Sequence, residues 1–214
     1  MSMARRTALI AWARQNKAWV IEDDYDSELR YAGHPFPSLQ GLDPTRVVYL
    51  GTFSKVLFPS LRLGYLIAPT VLIDTFLGAR ALMDRHSPTA DQHALAAWMA
   101  HGHFEAHIRR IRGVYAERRA ALLSAITKHL SDLVTVLPSD QGTHVVVWLL
   151  PGTDDVAVAA HAHSAGLTVR PISPMYRGTL ARSGLMLGFG GFAAAQLDTA
   201  AVRLRQVLLA IAVI

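Results

Sequence analysis

A lysine flanked by hydroxyls is the most reactive arrangement in this sequence of 214 residues. Gly51-Thr52-Phe53-Ser54-Lys55 follows an apolar run, and Arg62 stands seven residues on, in Pro59-Ser60-Leu61-Arg62-Leu63-Gly64-Tyr65. A lysine delivered by a buried strand is expected in a partly desolvated pocket, where burial disfavours the ammonium form. The free amine can then condense with an aldehyde. Thr52 and Ser54 add hydroxyl donors, and Arg62 adds a planar fork matched to phosphate. Together they point to a phosphate-bearing aldehyde as ligand. A second cluster, Glu22-Asp23-Asp24-Tyr25, closes the apolar run at 18–21. A carboxylate there can hold a proton on a ring nitrogen, and Tyr25 can donate to a ring oxygen. Both would make a pyridine ring a better electron sink, which is how a protein tunes pyridoxal phosphate.

Groups so far apart in sequence need a sheet to bring them together. Residues 18–21, 46–53 and 62–68 read as three strands, near-continuously apolar and separated by loops. Such runs predict an α/β fold with its sheet covered on both faces. Residues 4–13 have helical periodicity through Leu9, Ile10 and Ala13. Gly33, Pro35, Pro37, Gly41 and Pro44 make 26–45 mostly loop. From about 71 to 130 the pattern is helical, with a break at Gly102 and a long basic helix marked by Phe104, Ile108, Ile111, Tyr115, Leu122 and Ile126. Strands at 134–137 and 143–150, a helix at 156–165 ended by Gly166, strands at 169–172 and 185–189, and a helix at 193–212 follow. That order, β-β-α-β-β-α, predicts a small α+β lobe. The expected division is 1–100 and 101–214, with the long helix as the bridge.

Composition narrows the class. The chain is 51% hydrophobic and 17% charged, with no cysteine. This excludes a disordered tail, a collagen-like fibre and a disulfide-stapled secreted scaffold. The net charge of +5 favours anionic ligands without by itself indicating nucleic acid. No apolar stretch approaches the roughly 20 residues of a membrane helix. Trp12, Arg14, Gln15, Asn16 and Lys17 interrupt any signal core. A cytoplasmic protein with no membrane partner is expected.

The segments IEDDYDSELRY, PSLQGLD, RVVYLGTFSK and FPSLRLGY, with GLMLGFGGF near the end, resemble the aminotransferase-like domain of the MocR/GabR class of bacterial regulators. These belong to the GntR superfamily and are built on a pyridoxal-phosphate (PLP) fold type I aminotransferase. Their wider relatives are class I/II aminotransferases. The resemblance implies an α/β fold: the C-terminal part of the fold type I large domain at 1–100, then the small α+β domain. It implies pyridoxal 5'-phosphate as cofactor and no metal. Lys55 would be the Schiff-base lysine and, in an enzyme, the proton shuttle. Asp23 would pair with the pyridine nitrogen, being chosen over Asp24 because it leaves Tyr25 at the family spacing to contact the ring hydroxyl. Thr52, Ser54 and Arg62 would hold the phosphate. Arg182, six residues before Gly188, would clamp a substrate carboxylate.

The resemblance also implies pieces that this sequence does not supply. The family's complete domain carries, upstream, a glycine-containing turn at a helix N-terminus for the phosphate, an aromatic residue stacked on the ring and an asparagine near the ring oxygen. The chain is therefore expected to be the C-terminal portion of a longer protein, poorly active alone, with a sheet edge and apolar faces uncovered. A homodimer is expected, with an amino-acid-like small molecule as ligand. DNA contact is expected only through a winged-helix domain outside this sequence. The favoured function is a PLP-binding effector domain of a regulator, and the alternative is a class I/II aminotransferase.

Other polar clusters have plainer readings. Asp23, Asp24 and Asp26 could form a solvated acidic turn. His101, His103 and His107 are expected to be solvated, since only His103 and His107 share a helix face and no glutamate accompanies them in a metalloprotease pattern. Arg109, Arg110, Arg112, Arg118 and Arg119 are expected on a solvated helix face. His144 is expected near the cleft.

Overall fold

The computed structural model describes residues 1–33, 36–178 and 182–212, with the Ala212 side chain left out. The chain divides into two compact units, Met1–Glu28 with Gly33–Arg109, and Leu29–Ala32 with Arg110–Ile214. The division falls inside the long helix.

In the first unit, helix α1 (Met3–Gln15) buries Ile10 and Ala13. Strand β1 (Val20–Asp24) leads to a four-residue helix α2 (Leu39–Leu42) and then to β2 (Val47–Thr52). Helix α2 starts at Ser38, whose Oγ accepts from the Gly41 N–H. The Glu22 carboxylate takes the Leu39 and Gln40 N–H groups at 2.9 and 3.0 Å. These are donors that a helix start leaves without intrahelical partners. Ile10, Leu39 and Val47 form the buried cluster beneath. Strand β3 (Gly64–Ile67) completes the sheet in the order β1-β2-β3, with β1 and β2 parallel and β3 antiparallel. Helices α3 (Ile73–Met83), α4 (Thr89–Ala100) and α5 (His103–Leu130) follow. Gly102 breaks the chain between α4 and α5 at φ 74°, a conformation that glycine adopts without steric cost.

The expected coverage of both faces is found only at the middle of the sheet, where Val47 and Val48, pointing to opposite faces of β2, are both buried. All four residues of β3 are exposed, and Ile21 on β1 is 67% exposed. The apolar strands are buried at the middle of the sheet and exposed at Ile21 and along β3.

The second unit has a four-stranded antiparallel sheet of β4 (Val134–Leu137), β5 (His144–Leu149), β6 (Arg170–Pro171) and β7 (Gly184–Gly188), in the order β4-β5-β7-β6. Val145, Val147 and Leu149 alternate inward along β5. They meet Leu122, Ile126 and Leu130 of α5, and Leu197, Ala201, Leu204 and Leu208 of α7 (Ala194–Ala212), in one core. Helix α6 (Asp155–Ser164) is capped by Asp154, which accepts from the Val156 and Ala157 N–H groups. The predicted β-β-α-β-β-α order is the one observed. Leu29–Ala32 joins this unit, with the Tyr31 hydroxyl donating to the Gly142 carbonyl at 2.7 Å. Among the described residues no helix is long and apolar enough to cross a membrane.

Candidate functional site

Because β1 and β2 are parallel, their C-terminal ends lie at the same end of the sheet, Asp23 opposite Leu50 and Asp24 opposite Gly51. Strand β3 runs back from that end, Gly64 opposite Thr52. The topology therefore brings Asp23, Tyr25, Thr52, Ser54, Lys55 and Arg62 to one sheet end. This is where open parallel sheets receive ligands.

The lysine sits in a single helical turn. The Leu57 N–H donates to the Phe53 carbonyl at 2.8 Å. At the start of the turn, Thr52 Oγ1 accepts from the Ser54 N–H at 3.2 Å, which leaves the threonine hydroxyl hydrogen free to donate. Val56, 2% exposed, anchors the turn from below. The Phe53 N–H closes the loop onto the Leu63 carbonyl at 3.1 Å. Lys55 itself is exposed. Among the described residues the lysine is not enclosed in the desolvated pocket expected from its position after a strand.

Arg62 ends the 3-10 turn Pro59–Leu61 with φ 52° and ψ 29°. An arginine in this left-handed region costs about 1 kcal/mol that a glycine would not. Its guanidinium has no hydrogen bond or ion pair among the described residues. Strain at a residue with an unengaged cation is the kind of outlier that marks function.

Strand alternation separates the acidic residues. Glu22 and Asp24 share the face of Tyr49, and both are engaged. Glu22 caps α2. Asp24 accepts from the Tyr49 hydroxyl at 2.8 Å and from the Ser27 N–H at 3.2 Å. Burial, and then this donation to Asp24, push the Tyr49 phenol up. Glu28, further along the acidic turn, is also pushed up, chiefly by burial and further by Asp24 and Asp26. Asp23 lies on the opposite face with Ile21, exposed and without a hydrogen bond or ion pair among the described residues. Tyr25, at the next alternate position, is exposed as well. The face of Asp24 is closed by aromatic rings: the Tyr65 ring lies directly over Gly51, where an added Cβ would sit 2.2 Å from it. Tyr65 also packs 5.5 Å from Phe53.

Arg182 belongs to the second unit. It precedes β7, is exposed, and holds its guanidinium 4.2 Å from the centre of the Trp148 ring. That indole lies over Gly184, its register partner, where a Cβ would approach to 2.6 Å. A hollow of about 660 Å³ in the same unit, beside Leu122, Ile126, Leu167 and Leu204, contains none of the predicted residues. Its lining is chiefly aliphatic and offers no acid or base pair for chemistry.

Two residues were not legible in advance. Tyr49 partners Asp24 only once the strand register is known. His107, expected to be solvated, is instead half-buried, with Nε2 2.7 Å from the Val56 carbonyl oxygen. The contact spans 51 residues, so no local pattern announces it.

No protein-family profile matches the chain. Among curated proteins it is 42% identical to the uncharacterized HTH-type transcriptional regulator YhdI of Bacillus subtilis, over 89% of this chain and 41% of that protein. It is 36% identical to the probable rhizopine catabolism regulatory protein MocR of Rhizobium meliloti, over 89% of this chain and 39% of that protein. Among solved structures, the kynurenine aminotransferase of Pyrococcus horikoshii, crystallised with PMP, superposes with a TM-score of 0.90 at 28% identity. The match covers 98% of this chain and 52% of that one. The expected kinship with MocR-type regulators and the expected fold type I aminotransferase architecture are both found. The chain spans about two-fifths of the length of the regulators it matches.

Proposed function

We propose that this chain, a relative of the MocR-type regulators with an aminotransferase fold, is the pyridoxal-phosphate-binding effector module of such a regulator. The observation that carries the reading is the gathering of Asp23, Thr52, Ser54, Lys55 and Arg62 at one sheet end, with Asp23 making no hydrogen bond or ion pair among the described residues while its two acidic neighbours are engaged. The donor set fits the cofactor. A guanidinium and two hydroxyls match a phosphate, an amine matches an aldehyde, and a carboxylate matches a protonated ring nitrogen.

When bound, pyridoxal phosphate supplies an electron-withdrawing ring and an aldehyde that amines can exchange onto. Lys55 would hold that aldehyde through its ε-amino group. Asp23 would keep the ring nitrogen protonated, and Tyr25 would donate to the ring oxygen. Thr52, Ser54 and Arg62 would fix the phosphate. Arg182, stacked on Trp148 without a carboxylate partner among the described residues, would receive the acid group of an amino-acid-like effector. DNA would be contacted by a helix-turn-helix domain of the whole protein, acting as a cytoplasmic homodimer.

The likeness to an aminotransferase solved with PMP supports a second reading, a class I/II aminotransferase moving an amino group between an amino acid and a 2-oxo acid. In that case Lys55 would also carry the proton between carbon centres. Titrating the chain with pyridoxal phosphate tests both. The reading expects a new absorbance band that Lys55→Ala abolishes and Asp23→Asn weakens. Amino acid added afterwards should shift the band without releasing a 2-oxo acid, whereas release favours the enzyme. A band of equal strength in Lys55→Ala would overturn the assignment.

A further inference from the structure

The turn that carries Lys55 is one helical turn long, so its last carbonyls have no following N–H groups to accept from. Continued as a helix, the Val56 carbonyl would take the N–H of residue 60. Instead the chain leaves through Pro59, and among the described residues no backbone N–H reaches the Val56 oxygen. That oxygen is one peptide beyond Lys55, on the residue whose side chain anchors the turn. The group that reaches it is the ring of His107 on the first turns of α5, at 2.7 Å. A carbonyl only accepts, so Nε2 carries the proton and donates. The ring is held in turn by Trp98 of α4, centroids 5.7 Å apart. Phe104, one turn earlier on α5, packs edge-on against Phe53 at 6.0 Å and against Trp98 at 6.1 Å. His107 and Phe104 thus grip the lysine turn at both ends, and α4 backs them.

We infer that His107 is a positioning residue for Lys55: by donating to the Val56 carbonyl it closes the open end of the single helical turn that carries the lysine. The inference rests on the cofactor reading only for its consequence, since the capping itself can be measured without cofactor. His107→Ala leaves the carbonyl unmet and the turn free to unwind. His107→Gln keeps an N–H donor of similar reach.

The experiment has two readouts on the full chain. The first is amide exchange at the Leu57 N–H, the bond that defines the turn, with no cofactor present. His107→Ala is expected to speed it about fivefold, His107→Gln to restore it, and His103→Ala, an exposed histidine four residues earlier on the same helix, to leave it unchanged. The second is the apparent affinity for pyridoxal phosphate, expected to fall by about the same factor in His107→Ala and to recover in His107→Gln. Equal Leu57 exchange in the native chain and His107→Ala, or faster exchange with no rescue by glutamine, would overturn the inference. Failure of the native chain itself to take up pyridoxal phosphate would refute the cofactor reading, and the exchange result would still decide whether His107 caps the turn.

Discussion

The two units hold their geometry by different means. Among the described residues, the second has a buried cluster of 18 residues drawn from α5, α6, α7 and its sheet. The first has a cluster of three, and its helix α3 shows Leu77 and Leu82 at 63% and 90% exposure. A large core fixes everything attached to it, because close packing resists any single displacement. The first unit does not have that means at its sheet end. There the side chains are placed by strand register, one threonine-capped turn, an arginine in the left-handed region, a tyrosine ring seated on a glycine, and a histidine from α5. Each is worth only about 1 kcal/mol. Removing one should loosen the site without unfolding the chain, whereas the second unit should respond as a block.

The largest expected effect lies in the second unit, at Asp155. This carboxylate, 1% exposed, accepts from the Ile172, Ser173 and Gly184 N–H groups at 3.0, 2.8 and 3.0 Å, and from the Ser173 hydroxyl. It ties α6 to the loop before β7 and to β7 itself. Asp155→Ala would strand these donors and cost about 3 kcal/mol, read as a lowered denaturation midpoint for Trp148 fluorescence. Burial alone would raise the carboxyl's pKa, but the bonds from Gly184, Ser173 and Ile172 outweigh it and hold it below the usual carboxylate range. The sign follows. The stabilisation is complete above the unfolded value of about 3.9 and is lost as pH falls through the lower folded value. Acid titration should therefore narrow the stability gap between native protein and Asp155→Ala only below about pH 4. A gap that closes near neutrality would contradict this.

The next effect is local to the first unit. Gly51→Ala sets a Cβ 2.2 Å from the Tyr65 ring, so the ring must swing off β2. A cost of about 1–3 kcal/mol is expected, with exchange rising along the β2–β3 pairing and the Trp148 signal unmoved. Loss of both together would mean that the units do not respond separately. The smallest effect is expected from Tyr49→Phe, which removes the donor to Asp24 at a cost of about 1 kcal/mol. Pyridoxal phosphate uptake should fall only slightly, since Asp24 faces away from Asp23. A loss as deep as that of Asp23→Asn would exchange the roles of the two aspartates.

The strands, the long helix and the order of the second unit were legible because period-2 and period-3.6 apolar patterns are local. The residues of the sheet end were legible from short motifs, and parallel pairing of β1 with β2 then brought them together. What could not be read depended on distant partners. Lys55 is exposed on its turn, and the run of apolar residues before it cannot report that. Asp155 resembles any acidic residue at a helix start, and only the return of 172–184 onto it makes it a hub. His107 sits in a histidine-rich stretch whose members are chemically alike, and packing alone sets it apart from His103.

The central claim concerns one amine, and chemical trapping tests it most directly. The native chain is mixed with pyridoxal phosphate, reduced with borohydride and digested, and the modified peptide is sequenced. The account predicts a pyridoxyl group on Lys55 in the GTFSK segment, with the other lysines of the chain, Lys17 and Lys128, unlabelled at matched concentration. Label spread evenly over the three, or placed on either of the others in preference, would contradict it.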